Sequence, residues 1–117
     1  MSKQRIAGLN AIDEVLDAAK EARQALGRSE VLTRRLRRKI ADGTPVMEAM
    51  TLLGIGDIRR DLSSRLDALE SARHRAQHVI LDLAVSEGGS QGEVARLWGV
   101  SRQLVSRLAK EGHSQEP

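Results

Sequence analysis

The side chains best suited to specific hydrogen bonding are grouped near the end of this 117-residue chain. Arg102, Gln103 and Arg107 stand close together, with Ser101 and Ser106 beside them. An arginine can donate two hydrogen bonds to O6 and N7 of guanine, a glutamine can pair with N6 and N7 of adenine, and a serine hydroxyl can bond to either base. These residue types could therefore contact base edges, provided that a rigid element presents them together.

Candidates for catalysis and for metal binding are few. The chain has no cysteine and no tyrosine, which excludes a thiolate zinc site and a thiol or tyrosine nucleophile. Ser63, Ser64 and the scattered carboxylates form no nucleophile–base arrangement. His74 and His78 have the spacing of a two-histidine metal face, but no obvious third ligand accompanies them. We therefore expect no enzyme activity, no metal site and no cofactor, and we interpret the two histidines as exposed or interface residues.

The composition is that of a soluble globular protein, with 30% charged and 40% hydrophobic residues. A single tryptophan, without phenylalanine or tyrosine, excludes the aromatic platforms on which single-stranded nucleic acids stack. The net charge of +3 permits an anionic partner without requiring one. No apolar run approaches the roughly 20 residues needed to cross a bilayer. Residues 1–5 lead into no apolar signal segment, so we expect a cytoplasmic protein.

The spacing of apolar residues predicts an all-α protein, because they recur every three or four positions nearly throughout. A first helix is expected over residues 6–26 with Gly27 as its end, and a second from a cap at Ser29 to Gly43. The predicted inward positions of these two helices are Ile6, Leu9, Ile12, Leu16, Ala19, Leu26, Val31, Leu32, Leu36 and Ile40.

Two further helices precede the C-terminal region. Thr44 followed by Pro45 favours the start of a short third helix, which Gly54 breaks. A fourth helix is predicted from a cap at Asp57 to about Ser86, with a length of about 45 Å at 1.5 Å per residue. We expect so long a helix to bend, to join two halves of the molecule or to pack against a second subunit. Its predicted apolar stripe is Ile58, Leu62, Leu66, Leu69, Ala72, Ala76, Val79, Ile80 and Leu83.

A tight pair of helices is predicted over residues 91–110. Ser90 and Glu93 have the spacing of a capping box at the start of the first of them. Gly99 supplies the left-handed backbone conformation that a tight turn needs, and Ser101 can cap the second helix. Two short helices joined in this way cross steeply and share an apolar seam. The predicted seam is Val94, Leu97, Trp98, Val100, Val105 and Leu108, with the small Ala95 where the helices come close.

This stretch resembles the helix-turn-helix of DNA-binding proteins. That family's pattern places alanine at its fifth position and glycine at its ninth, which are Ala95 and Gly99 here. The apolar positions of the pattern are matched as well, by Val94, Trp98, Val100, Val105 and Leu108. The resemblance implies that the second helix enters the major groove of DNA with its N-terminal residues against base edges.

The resemblance also implies which side chains meet DNA. Carried over position by position, the outward residues of the second helix are Ser101, Arg102, Gln103, Ser106 and Arg107. Gln91 begins the preceding helix, where family members often contact a phosphate. Arg96 and Lys110 are predicted phosphate contacts at the flanks.

A second basic feature lies in the predicted second helix, where five cations fall within six positions. Its members are Arg34, Arg35, Arg37, Arg38 and Lys39. Most of these side chains are expected on the face away from Leu32 and Leu36. They could bind the flanking DNA backbone, dock an acidic protein surface or be solvated.

These patterns predict an all-α protein in which N-terminal helices and a long connecting helix lead into a C-terminal three-helix head over about residues 69–111. Residues 1–56 would serve dimerisation or partner binding, and residues 57–117 would contain the long helix and the DNA-binding domain. The predicted function is sequence-specific binding of double-stranded DNA by a transcriptional regulator. We expect a homodimer, because useful specificity normally needs two heads about 34 Å apart on the duplex.

Two alternatives remain open. One is a nucleoid-associated architectural protein, whose binding would be nearly indifferent to sequence and would collapse with salt. The other is a helical adaptor or antitoxin-like inhibitor whose main role is to bind a protein through residues 1–53.

Overall fold

The computed structural model describes residues 1–114, with side chains through Glu111, so the last three residues of the predicted C-terminal region lie outside it. The described chain is all-helical, as predicted. Its helices are α1 (Lys3–Ala41), α2 (Val46–Leu53), α3 (Ile55–Ser86), α4 (Gln91–Trp98) and α5 (Arg102–Ser114). None of these described helices combines the length and the apolar character that crossing a membrane requires.

The first helix is longer than the sequence predicted. α1 continues through Gly27, so the expected division into two helices is wrong. The carbonyl of Ser29, the expected cap, accepts a hydrogen bond from the Thr33 hydroxyl at 2.7 Å inside the helix. Ala25 is buried before the glycine, and Arg28 is held by an ion pair after it. A glycine costs a helix interior only about 1 kcal/mol, which such tertiary contacts offset.

A glycine forms the junction on each side of α2. Gly43, with φ of +87°, turns the chain after α1, as predicted. α2 begins at Val46, directly after Pro45, and ends at Gly54 in the left-handed conformation. α3 then starts at once, at Ile55 rather than at the predicted cap Asp57. Asp57 lies instead in the first turn of α3.

The chain forms two compact units, and α1 and α3 each contribute to both. One unit contains residues 1–14 and the chain from residue 72 onward, and the other contains residues 15–71. The boundary predicted between residues 56 and 57 falls inside the second unit. The assignment of separate roles to the two sequence regions stays a prediction.

In both units the buried side chains of α1 are small. Ala11 is buried in the first unit, and Ala22 and Ala25 are buried in the second. A methyl group added at Gly8 would lie 3.2 Å from Cδ1 of Ile80, so these two helices approach closely in the first unit. The distance between packed helices depends on the side chains at the contact, and small ones permit the shortest distance.

Seven of the ten predicted inward positions of α1 are exposed instead, whereas Ala19, Leu32 and Leu36 are half-buried. Those exposed are Ile6, Leu9, Ile12, Leu16, Leu26, Val31 and Ile40. In α3 the predicted stripe is only partly right, because Leu66 is exposed whereas Ala72 and Ala76 are buried. Apolar spacing located the helices, but the side that becomes buried depends on which residues allow a neighbouring helix to approach.

Ion pairs add to the packing of α1 and α3 in the second unit. Nη2 of Arg28 lies 2.8 Å from Oδ2 of Asp61, and Nη1 of Arg65 lies 2.9 Å from Oε2 of Glu21. The hydrogen bond from Arg28 is the main cause that lowers the pKa of the Asp61 carboxyl from its ordinary value, and the charge of Arg65 acts in the same direction. Asp61 thus stays ionised at neutral pH beside two guanidinium groups.

Candidate nucleic-acid interface

A small apolar core holds α4 and α5 against the end of α3. Leu81 of α3, Val94 and Ala95 of α4, and Val105 and Leu108 of α5 are buried together. Partly buried hydrophobic side chains surround them, namely Ala84, Val85, Val100 and Leu104. Because three helices share this core, the exposed faces of α4 and α5 have fixed positions relative to each other.

The close approach of α4 to the end of α3 depends on two glycines. Gly88 adopts the left-handed conformation, with φ of +107°, and ends α3. The Gly89 amide donates to the Ala84 carbonyl at 3.0 Å. A Cβ at Gly89 would meet that carbonyl oxygen and Cγ2 of Val94, each at 2.9 Å. The chain can therefore pass at this distance only without a side chain at residue 89.

Local hydrogen bonds fix the beginnings of both helices. The two serine caps are formed as predicted, but the return bond of a capping box, from the Ser90 amide to the Glu93 side chain, is absent among the described residues. The Ser90 hydroxyl accepts a hydrogen bond from the Glu93 amide at 3.2 Å, and the Ser101 hydroxyl accepts one from the Leu104 amide at 3.1 Å. Between the helices, Gly99 has φ of +86° and donates its amide to the Ala95 carbonyl. These contacts set a short turn between α4 and α5.

Two residues of the predicted seam are exposed instead. Leu97 is 77% exposed and Trp98 is 45% exposed. Ala95 and Leu97 are two residues apart and so point to nearly opposite sides of a helix, which means that burying the alanine exposes the leucine. Trp98 lies at the end of α4, where its indole N–H donates to Oε1 of Gln77 at 3.2 Å. Leu81, which the predicted stripe of α3 omitted, fills the core in their place.

The predicted DNA-contacting side chains lie outside this core. Val105 and Leu108 mark the buried side of α5, and the opposite side carries the basic and amide residues. Exposed are Arg96, Ser101, Arg102, Gln103, Arg107 and Lys110, whereas Gln91 and Ser106 are half-buried. At helical spacing Arg102 and Ser106 are neighbours, as are Gln103 and Arg107, so four of these side chains share one face of α5.

The charge of this face is uncompensated within the described residues. The first turn of α5 contains no acidic residue. Arg102 and Arg107 form no ion pair with any carboxylate among the residues that the structure describes. The N-terminal end of a helix also carries a partial positive charge. This end of α5 therefore favours anions and hydrogen-bond acceptors.

A separate groove in the first unit, which the sequence did not predict, has several polar side chains in its lining. His74 and His78 line it together with Gln4 and Asp82, around a volume of about 490 Å³. Within the part of the chain that the structure describes, no group of three or more His, Cys, Asp or Glu residues is placed to hold a metal ion. Gln4 is far from the histidines in sequence, so no local pattern could have indicated the groove.

Comparison with known proteins adds no further assignment. No protein-family model, curated protein or solved structure matches this chain.

Proposed function

We propose that this protein binds double-stranded DNA in a sequence-specific manner, with α4 and α5 as a helix-turn-helix and the end of α3 as the supporting helix. The observation that carries the proposal is the row of Arg102, Gln103 and Arg107, exposed on the face of α5 opposite its buried residues. Gly99 and Ser101 give the turn its geometry, so the row stands on a rigid support. We propose a cytoplasmic transcriptional regulator as the biological role.

In this proposal the N-terminal half of α5 lies in the major groove. Arg102 and Arg107 donate to guanine O6 and N7 or to other base acceptors, and Gln103 pairs with adenine. Ser101 and Ser106 are short enough to contact bases or phosphates close to the helix. Gln91, Arg96 and Lys110 contact phosphates and fix the orientation of the unit without specifying sequence.

We further propose that the protein acts as a homodimer. One recognition helix covers only a few base pairs, and paired half-sites about 34 Å apart supply the missing specificity. The exposed Ile6, Leu9 and Ile12 of α1 are spaced three residues apart and offer an apolar surface to a second copy. Sedimentation equilibrium at micromolar concentration should give twice the chain mass, and the mass of one chain at every concentration would contradict the dimer.

The experiment that tests the function is a selection of bound duplexes from a random pool at near-physiological salt. The proposal predicts one enriched sequence, palindromic if two heads bind together. Enrichment of no sequence, with binding that vanishes as salt rises, would support an architectural protein instead. Failure to retain any duplex would contradict DNA binding altogether.

One observation favours a second candidate function, the binding of a protein partner through the N-terminal helices. Met47 of α2 is 74% exposed and Leu52 is 63% exposed, beside the partly exposed Met50. Flexible methionine side chains at a surface suit an adaptable protein interface. If this is the main role, replacing Met47 and Leu52 by serine abolishes co-purification of a partner but leaves DNA binding intact.

A further inference from the structure

The basic run near the end of α1 forms a wide cationic face. Arg34, Arg35, Arg37 and Arg38 are all exposed, and at 100° per residue they cover nearly half of the helix circumference. Leu32 and Leu36, on the other side of the helix, are half-buried. The helix is therefore fixed by its apolar side, and the arginines project into solvent.

Little negative charge compensates this face. Arg34 pairs with Glu30 one turn earlier. Arg35, Arg37 and Arg38 form no ion pair with the described residues. Like charges three or four positions apart, such as Arg34 with Arg38 and Arg35 with Arg38, destabilise a helix. The position of Arg38 in the last turn offsets part of that cost, since a helix C-terminus favours cations.

The composition of the face distinguishes between its two candidate partners. The buried centre of a protein–protein interface is depleted of charged residues and enriched in apolar and aromatic ones. Here four arginines occupy the exposed face, and the exposed Val31 lies on the same side of the helix, one turn before Arg34 and Arg35. Phosphates, by contrast, are bound by exposed arginines with planar, bidentate geometry. The face thus fits a row of phosphates better than an acidic protein.

We propose that Arg35, Arg37 and Arg38 form a second DNA contact, which binds the phosphate backbone without regard to sequence. This inference rests on the proposed DNA-binding function, but it concerns affinity and salt dependence rather than specificity. Each neutralised phosphate adds about 0.9 to the slope of log K against log salt concentration. Three arginines therefore contribute a slope of about 2.7, whatever the sequence of the duplex.

The test compares two triple variants of the full-length protein. R35Q/R37Q/R38Q removes three charges from the face, and K20Q/R23Q/R59Q removes three exposed cations elsewhere in the same unit. Glutamine has nearly the helix propensity of arginine and lysine, so both variants should fold, as circular dichroism would verify. Binding is measured between 50 and 200 mM salt on two 30-base-pair duplexes, one selected from the random pool and one scrambled.

For the face variant we expect the salt slope to fall by about 2 to 3 on both duplexes, while the ratio of the two affinities stays as in the wild type. Over this salt range the wild-type affinity would decrease about 40-fold more than that of the variant. The control should change the slope by less than about 1. The inference would be overturned if the two triple variants had equal salt slopes. It would also be overturned if the face variant lost affinity for the selected duplex only.

The same measurements separate this inference from the function on which it rests. A wild-type protein that binds both duplexes equally contradicts sequence-specific recognition by α5, yet the difference in slope between the variants still tests the arginine face. A normal preference for the selected duplex with unchanged slope in the face variant contradicts only the arginine face.

Discussion

Gly89 lies so close to Val94 that a methyl group at residue 89 would come within 2.9 Å of Cγ2 of the valine. This contact joins the end of α3 to the first turn of α4, and it determines where the α4–α5 pair lies on the supporting helix. The arrangement of the candidate interface therefore depends on a residue that itself contacts no DNA in our proposal.

Gly89→Ala should destabilise the first unit by about 1–3 kcal/mol, because the added methyl overpacks against backbone and side-chain atoms at once. Gly92→Ala is the matched control, since nothing lies within 4 Å of a Cβ at that helical position. There the alanine should stabilise by about 0.5–1 kcal/mol. Urea denaturation followed by circular dichroism measures both, and an equal effect of the two substitutions would contradict the described packing.

A second pair of variants tests which leucine belongs to the core. Leu81 is 2% exposed, so Leu81→Ala should cost about 2–5 kcal/mol of unfolding free energy. Leu97→Ala should change it by less than about 0.5 kcal/mol, because that side chain is exposed. Chemical denaturation of the two variants decides between this core and the seam predicted from sequence. If the predicted seam were correct, Leu97→Ala would lower the free energy of unfolding more than Leu81→Ala.

The parts of the interface that sequence could predict are those set by local interactions. The Ser90 and Ser101 hydroxyls accept hydrogen bonds from amides three residues later in the chain, and Gly99 adopts the positive φ that the tight turn requires. None of these features requires knowledge of a distant residue, and all three were predicted correctly.

The predictions were wrong where contacts between residues distant in sequence determine the structure. Gly27 resembles a helix terminator in isolation, yet contacts on both sides keep it inside α1. On a two-turn helix, Leu97 and Trp98 have the spacing of core residues. In the structure Ala95 is buried against the neighbouring helices instead, and Leu97 and Trp98 are exposed. In α1 the fully buried side chains are alanines rather than larger aliphatic residues, and small side chains permit close helix packing.

The Asp61 carboxylate gives the protein a predicted acid sensitivity. Since the folded state lowers its pKa, the stabilisation is present above the ordinary value of 3.8 and is lost as the pH falls through the lower folded-state value. Asp61→Asn should therefore lower stability at pH 7 and have a smaller effect near pH 3. Urea titrations at both pH values measure this.

Asp67→Asn is the control for this pH effect, because Asp67 is exposed on the same helix and pairs with no cation among the described residues. We expect Asp67→Asn to change the free energy of unfolding little at pH 7, because it removes no ion pair within the described residues. If Asp61→Asn behaved in the same way, the ion pair with Arg28 would contribute nothing to folding.

The contacts proposed for Lys110 and Arg102 differ in kind, and so should the effects of removing them. Lys110→Ala removes a phosphate contact and should weaken binding to selected and scrambled duplexes alike, reducing the salt slope by about 1. Fluorescence anisotropy with labelled duplexes at several salt concentrations measures this. A loss restricted to one sequence would instead place Lys110 against a base.

The most direct test of sequence recognition by α5 is a titration of the selected and scrambled duplexes with wild-type protein, with Arg102→Ala and with Arg102→Ala/Arg107→Ala. Our account predicts that Arg102→Ala costs about 1–3 kcal/mol on the selected duplex and relaxes preference at one base position. On the scrambled duplex the loss should be much smaller. If the double variant binds the selected duplex as tightly and as selectively as the wild type, α5 does not read the sequence and the central claim is wrong.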